Sequence, residues 1–233
     1  MSRMFLRRLM RHLLPEAAAL RLRREWLGRR VAAGKGYFEN DVPLLKAHVH
    51  RTDICWDIGA NIGTYTVNLS RLASKVFSFE PVPHNFDTLV DVTRRARLKN
   101  VELRQLALSD RVGRARMAIP VDGFYGGFYL ARLDVGGTLD VEVSTIDALI
   151  ASGVPEPDFI KCDVEGDESR VLAGARELLE RRRPIWLMET FEDDVVKLLL
   201  SSGYTAHVRD ADNQLVEVQT RVHERNYWFF PRR

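Results

Sequence analysis

Ile54-Cys55-Trp56-Asp57-Ile58-Gly59-Ala60-Asn61-Ile62-Gly63-Thr64 is the stretch that decides the fold. A short apolar run closes on Asp57, a turn containing two glycines follows, and a helical pattern opens near Thr64. Gly59 and Gly63 permit a tight turn and a close approach of the backbone to a ligand. Residues 75–79 form the next apolar run, and Glu80 closes it 21 residues beyond Gly59. An acid near that spacing accepts hydrogen bonds from ribose hydroxyls. Together these residues place an adenosine across the carboxyl ends of parallel strands, where open α/β sheets bind ligands.

Two departures from the dinucleotide fingerprint choose the cofactor. Gly59-Ala60-Asn61 puts a side chain where a middle glycine would admit a pyrophosphate, and Asp57 adds a carboxylate at the turn. A fixed anion there repels a diphosphate and attracts the ammonium of a methionine moiety. At ~4 Å and an effective dielectric of ~20, that contact is worth about 4 kcal/mol before desolvation. The expected cofactor is therefore S-adenosylmethionine. A helix cap is the alternative task for Asp57.

Working outward, residues 64–73 and 83–98 read as helices, and 101–108 as a third strand. The alternation resumes with a strand at 159–162, a helix at 168–182, a strand at 185–188 and a helix at 193–202. Strands alternating with helices of this length predict an α/β fold with a mostly parallel sheet covered on both faces. Residues 205–208, 215–218 and 227–230 are strands without intervening helices, which predicts an antiparallel edge with a turn at 210–213. Between the two blocks lies an insertion, about 111–144, containing Phe124-Tyr125-Gly126-Gly127-Phe128-Tyr129. Aromatics flanking paired glycines suit a loop that closes over a ligand, or a β-hairpin with a bulged tip.

Charge divides the chain. It has 35 Lys and Arg against 32 Asp and Glu, a net of +3. Residues 1–36 hold nine Arg and Lys35 against Glu16 and Glu25, a net of +8, so the remainder carries −5. A mildly acidic domain argues against nucleic acid as the partner. The division predicts a basic amphipathic helical extension at 1–36, closed by a Gly34-Lys35-Gly36 hinge, and a cofactor-binding domain at 37–233. Phe5, Leu6, Leu9, Met10 and Leu13 fall on one helical face, with Arg3, Arg7 and Arg11 on the other. Residues 1–33 suit packing in a homo-oligomer or peripheral contact with an anionic membrane surface. No run reaches the roughly 18 apolar residues a membrane span needs, and the N-terminus lacks a signal-peptide core. A cytoplasmic location is the expectation. Cys55 and Cys162 read as buried spectator thiols rather than a disulfide.

The motifs Asp57-Ile58-Gly59-Ala60-Asn61-Ile62-Gly63-Thr64, Phe79-Glu80-Pro81-Val82-Pro83 and Ala107-Leu108-Ser109-Asp110 occur in that order. Val143-Ser144-Thr145-Ile146-Asp147-Ala148-Leu149, Ile160-Lys161-Cys162-Asp163-Val164-Glu165-Gly166 and Val171-Leu172-Ala173-Gly174-Ala175 follow, and the series ends at Glu189. In this the sequence resembles the FkbM-type family of class I S-adenosylmethionine-dependent methyltransferases, over about residues 39–189. The resemblance implies a Rossmann-like sheet and O-methylation of a hydroxyl on a sugar, a glycan or another secondary metabolite. It carries over Asp57, Gly59, Ala60, Asn61, Gly63, Thr64, Glu80 and Pro81 as the cofactor segment, with Ala107 and Asp110 beside the adenine.

Methyl transfer to an alcohol needs positioning of donor and acceptor and a base within hydrogen-bond reach. Asp163 ends the fourth strand, and Lys161, two residues earlier, shares its face. A lysine inside a central strand calls for a partner, and Asp163 is the natural one. Glu165 follows in the loop and Glu189 ends the next strand, so Asp163, Glu165 and Glu189, with Lys161, are the catalytic candidates. The same acids could instead only hold the loop, or Asp163, Glu165 and Glu168 could bind a divalent cation, though no spacing specifies a metal. His48 and His50 end a helix, and His84 suits a cap. Two other functions stay open: a nicotinamide-dependent oxidoreductase, and a non-catalytic membrane or protein adaptor on the same fold. The expected acceptor is a sugar, a glycan or another small molecule, with a lipid-linked one favoured if residues 1–33 meet a membrane.

Overall fold

The computed structural model describes residues 25–35, 41–118, 124–125, 128–129, 132–133, 136–223 and 226–232. Helix α1 (25–32) precedes the single-turn α2 (Leu45–His48). Strand and helix then alternate: β1 (Ile54–Ile58), α3 (Thr64–Ser70), β2 (Lys75–Phe79), α4 (Pro83–Arg95) and β3 (Val101–Arg104). A second block holds β4 (Ala107–Leu108), β5 (Gly113–Ala118), β6 (Phe124–Tyr125), β7 (Phe128–Tyr129), β8 (Arg132–Leu133) and β9 (Leu139–Ser144). The chain continues through α5 (Ile146–Ala151), β10 (Phe159–Cys162), α6 (Glu168–Ala173), α7 (Arg176–Arg181), β11 (Ile185–Glu189) and α8 (Asp193–Ser201). It closes with β12 (Tyr204–Arg209), β13 (Leu215–Val218) and β14 (Asn226–Pro231).

The main sheet runs β13-β12-β14-β11-β10-β1-β2-β3. Its β11-to-β3 half is parallel, whereas β14 inserts antiparallel between β11 and β12, and β13 is the antiparallel edge. This is the class I methyltransferase sheet. Strand alternation splits the core into two layers. Trp56, Ile58, Phe79, Ile160, Cys162, Trp186 and Met188 pack against α5 to α8. Cys55, Val76, Phe159, Leu187 and Trp228 pack against Leu45, Tyr65 and Leu69 on the opposite face. Cys55 and Cys162 are free and buried. Asp41, also buried, accepts hydrogen bonds from Trp228 Nε1 (2.8 Å) and Asn226 Nδ2 (2.9 Å), tying the chain before α2 to β14.

Two expectations change. The predicted strand 101–108 is two strands, because β4 leaves the main sheet to join a second one ordered β4-β9-β5-β8. The described part of the insertion belongs mostly to that second sheet, and the hairpin expected as one of its two forms is present, Phe124 pairing with Tyr129 and Tyr125 with Phe128. The predicted helix 168–182 breaks between α6 and α7. There a Cβ on Gly174 would stand 2.1 Å from the Ser109 carbonyl oxygen, so only glycine lets the second sheet approach.

Part of the N-terminal region packs on the domain. Leu27 and Val31 of α1 are buried with Ile62, Val67 and Val92 of the α3–α4 side. Gly34 (φ +74°) closes this helix as its N–H donates to the Val31 carbonyl. The amphipathic pattern of residues 3–14, Gly36 and the side chains of the Phe124–Tyr129 segment lie outside the described residues. No helix among the described residues is long and apolar enough to cross a membrane.

Candidate active site

The turn after β1 is hooked over the end of β2. The N–H groups of Gly59 and Ala60 both donate to the Phe79 carbonyl, at 3.0 and 2.9 Å. Gly59 has φ +76°, and a Cβ there would stand 1.7 Å from the Asp163 carbonyl oxygen, so the turn and the end of β10 meet backbone to backbone. Asn61 has φ +48°, a conformation its side chain tolerates, and its N–H donates to Glu80 Oε2 at 2.8 Å. The other oxygen of Glu80 accepts from the Val82 N–H (2.9 Å) and Asn85 Nδ2 (3.5 Å). Glu80 is 4% exposed, and burial pushes its carboxyl up to about 7 despite those donors.

Beside this carboxylate opens a cleft lined by Ile58, Gly59, Asn61, Glu80, Pro81, Val82, Asn85 and the Leu106-Ala107-Leu108 segment. Met117 and Leu133 of the second sheet wall one side; Asp163, Val164, Glu165 and Asp167 close the other. Asp167 joins the walls, its carboxylate accepting from the Leu133 N–H at 3.0 Å and pairing with Arg170 at 3.2 Å. Four carboxylates thus line the cleft, with no Lys or Arg among the described lining residues. Asn61 Oδ1 is buried there with no hydrogen-bond partner among the described residues.

Behind the cleft runs a polar row in strand register. Asp57 stands opposite Lys161, and Lys161 pairs with Asp163 at 3.5 Å while lying 5.0 Å from the centre of the Tyr65 ring. Asp57 is 1% exposed and accepts from Thr66 Oγ1 at 2.5 Å. Burial raises its carboxyl to about 6, opposed by the Thr66 hydroxyl and by Lys161. Glu165 sits at φ +56°, flanked by Val164 and Gly166, whose N–H groups both donate to Glu168 Oε1 at 3.1 and 3.2 Å. Glu168 therefore folds the loop that presents Glu165. Although residue 165 is exposed overall, its carboxyl is pushed up to about 7. Desolvation contributes most, then Asp163, Glu189 and Glu168, against Lys161. Among the described residues no three His, Cys, Asp or Glu side chains gather to hold a metal ion.

The FkbM methyltransferase domain family matches residues 57–205, a span that runs from the acid at the first turn into β12. The chain belongs to the FkbM methyltransferase family. This methyltransferase is 35% identical over 187 residues to the hexuronic acid methyltransferase AglP of Haloferax volcanii, covering 75% of this chain and 74% of that one. It is 28% identical over 218 residues to the 31-O-demethyl-FK506 methyltransferase FkbM of Streptomyces tacrolimicus, covering 78% and 82%. The crystal structure of methyltransferase FkbM from Methylobacillus flagellatus shares its fold, with a TM-score of 0.56 at 20% identity, over 84% of this chain and 47% of that one.

Of the residues singled out by sequence, Gly59, Asn61, Glu80, Pro81, Ala107, Asp163 and Glu165 line the cleft of this methyltransferase. Asp57, Ala60, Gly63, Thr64, Asp110, Lys161 and Glu189 are not among its lining residues. Asp57 turns onto α3 because strand alternation sends its side chain to the Tyr65 face, so it braces the turn instead of presenting a charge at its surface. Ala60 and Gly63 shape that turn, Gly63 (φ +92°) being the left-handed residue that opens α3 at Thr64. Asp110 points to solvent, 3.7 Å from Arg111. Sequence reading missed Val82, Asn85, Leu106, Met117, Leu133 and Asp167. Met117 and Leu133 carry no local signal, since only the pairing of β5 with β8 brings them to the cleft.

Proposed function

We propose that this methyltransferase uses S-adenosylmethionine to O-methylate a hydroxyl of a sugar, a glycan or a related hydroxylated small molecule. The acid lining of the cleft carries the reading. Glu80, Asp163, Glu165 and Asp167 suit a donor bearing a sulfonium and an ammonium, and they oppose the diphosphate of a nicotinamide dinucleotide. Glu80, fixed by the Asn61 and Val82 N–H groups, keeps further lone pairs for ribose hydroxyls. Asn61 Oδ1 offers an unused acceptor, and Leu106, Ala107 and Leu108 supply an apolar wall for adenine. AglP, named for a hexuronic acid, and FkbM, named for a 31-O-demethyl substrate, support a sugar-like acceptor and an oxygen nucleophile.

When bound, the donor supplies the methyl: a C–O bond forms as the S–C bond breaks, S-adenosylhomocysteine leaves, and the hydroxyl proton passes to a carboxylate of the chain. Asp163 and Glu165 are the proposed holders of that proton. Glu165, pushed up to about 7, is the better matched base near neutral pH. Lys161 fixes Asp163 and compensates the charge of Asp57. Calorimetry with S-adenosylhomocysteine and NAD, followed by labelled methyl transfer to hydroxylated glycosides, tests the reading. S-adenosylhomocysteine binding and labelled glycoside are expected. NAD binding without S-adenosylhomocysteine binding would overturn it.

A further inference from the structure

The outer face of α1 carries charge that the donor cleft does not use. Leu27, Gly28 and Val31 turn inward, Gly28 facing Val92 and Thr88 of α4, while Glu25, Trp26, Arg29 and Arg30 turn outward. Glu25 is close enough to Arg95 to favour its charge, so α1 begins beside the end of α4. There the chain bears Arg94, Arg95, Arg97 and Lys99, all exposed. At the other end of α1, Arg71 donates to the Ala32 carbonyl at 3.4 Å. Glu25 pairs with Arg29, and Asp91 with Arg94 and Arg95. The balance is still positive. Residues 25–35 and 83–99 with Arg71 net +5, and residues 1–24 add +6, which leaves −8 for the rest of the chain. Trp26 is 54% exposed, with the Arg30 guanidinium 4.9 Å from the centre of its ring. The other three tryptophans, Trp56, Trp186 and Trp228, are fully buried.

We propose that this α1–α4 face docks on an anionic lipid bilayer, with Trp26 seated at the headgroup level. Anionic headgroups answer the basic residues, each giving about a fivefold gain in partitioning near the surface. A tryptophan ring fits that level because its body is apolar and its N–H is polar. The distribution of charge selects a bilayer over other partners. A bilayer touches one face of the protein, whereas a nucleic acid runs past that face and meets the −8 of the remainder. A second copy of this chain would set like charge against like. The cleft and the docked face adjoin through one turn of chain, since Asn61 lines the cleft and Ile62 is buried against α1. Glu80, Asp163, Glu165 and Asp167 line that cleft, so an anionic surface selects the α1–α4 face over the cleft mouth.

The test uses the full chain, phosphatidylcholine vesicles with and without phosphatidylserine, and the emission of Trp26. The chain should sediment with the phosphatidylserine vesicles and stay in solution with phosphatidylcholine alone. Salt at about 1 M should release it, as the screening length falls to ~3 Å. On binding, tryptophan emission should shift to shorter wavelength, and lipids brominated near the headgroup should quench it. Trp26→Phe should abolish both changes, because the remaining tryptophans are buried. Arg97→Gln combined with Lys99→Gln should weaken vesicle binding by roughly tenfold or more, at an unchanged melting temperature. A chain that stays in solution with phosphatidylserine vesicles, or one that sediments equally with phosphatidylcholine alone, would overturn the proposal. Sedimentation that leaves the emission of Trp26 unchanged would overturn it too, by placing the contact elsewhere on the chain. A duplex RNA that binds this face more tightly and displaces the vesicles, or a dimer in solution that the double variant dissolves, would replace the bilayer with another partner and overturn it as well.

Discussion

If Glu80 takes the ribose as proposed, cofactor affinity becomes a function of pH. Its carboxyl is pushed up to about 7, burial outweighing the Val82 and Asn61 N–H groups and the Asn85 amide. Ribose hydroxyls that donate to it favour the ionised form, so binding draws its proton off. At pH 8 the carboxylate is largely ionised already, whereas at pH 6 about one molecule in eleven carries the charge. Between those values the affinity for S-adenosylhomocysteine should fall about tenfold, ~1.4 kcal/mol. Calorimetry at pH 6, 7 and 8, in buffers of different ionisation enthalpy, should record the fall and a released proton near pH 6. Glu80→Gln keeps the shape and an acceptor but removes the titration. It should lose roughly ten- to hundred-fold in affinity at pH 8, the worth of hydrogen bonds to a charged group, and its affinity should be flat across this range. Asp57 and Glu165 titrate nearby, at about 6 and about 7, and Glu165→Gln should leave the slope in place. A wild-type affinity that is constant from pH 6 to 8, or a slope that survives Glu80→Gln, would refute the argument.

Three further outcomes are expected. Glu168→Ala strips the acceptor from the Val164 and Gly166 N–H groups, which should cost about 1–3 kcal/mol for each donor left unmet. Glu168→Gln keeps the acceptor. Because the wild-type carboxyl is raised to about 7, the folded state holds its proton longer than the unfolded chain, and wild-type stability falls as pH rises from about 4.5 to about 7. Denaturant titrations should show this fall reduced in Glu168→Gln; an unaltered fall would show that Glu168 does not titrate there. At the N-terminus, Leu27→Ala should cost about 2–5 kcal/mol by opening the contact of α1 with Ile62 and Val67. If the basic N-terminal segment meets a membrane, deletion of residues 1–24 should spare both stability and S-adenosylhomocysteine affinity while lowering sedimentation with anionic vesicles; a full chain that does not sediment with them would leave packing in a homo-oligomer as its role.

The legible parts of this chain were those in which local sequence and tertiary role coincide. Gly59, Asn61, Gly63 and Glu80 announce a turn and its acid because backbone conformation and ligand access demand the same residue types within one strand-turn-helix unit. The parallel strands at 159–162 and 185–189 announce themselves because burial on both faces leaves an apolar run. What stayed hidden depends on distant partners. Nothing near Leu106 tells that the strand begun at Val101 changes sheets, because the cause is β9, about 35 residues on. Asp57 shows the same limit at one residue. Its position at the end of β1 suggests a charge offered to the cofactor, but strand alternation aims it at α3, where Thr66 and Lys161 hold it. The carboxylates that line the cleft are others. Glu80 comes from the turn after β2, and Asp163, Glu165 and Asp167 from the turn after β10, so they reach the lining together only through the sheet. The sequence motif thus marks the turn and its acid, and the fold decides which carboxylates line the cleft.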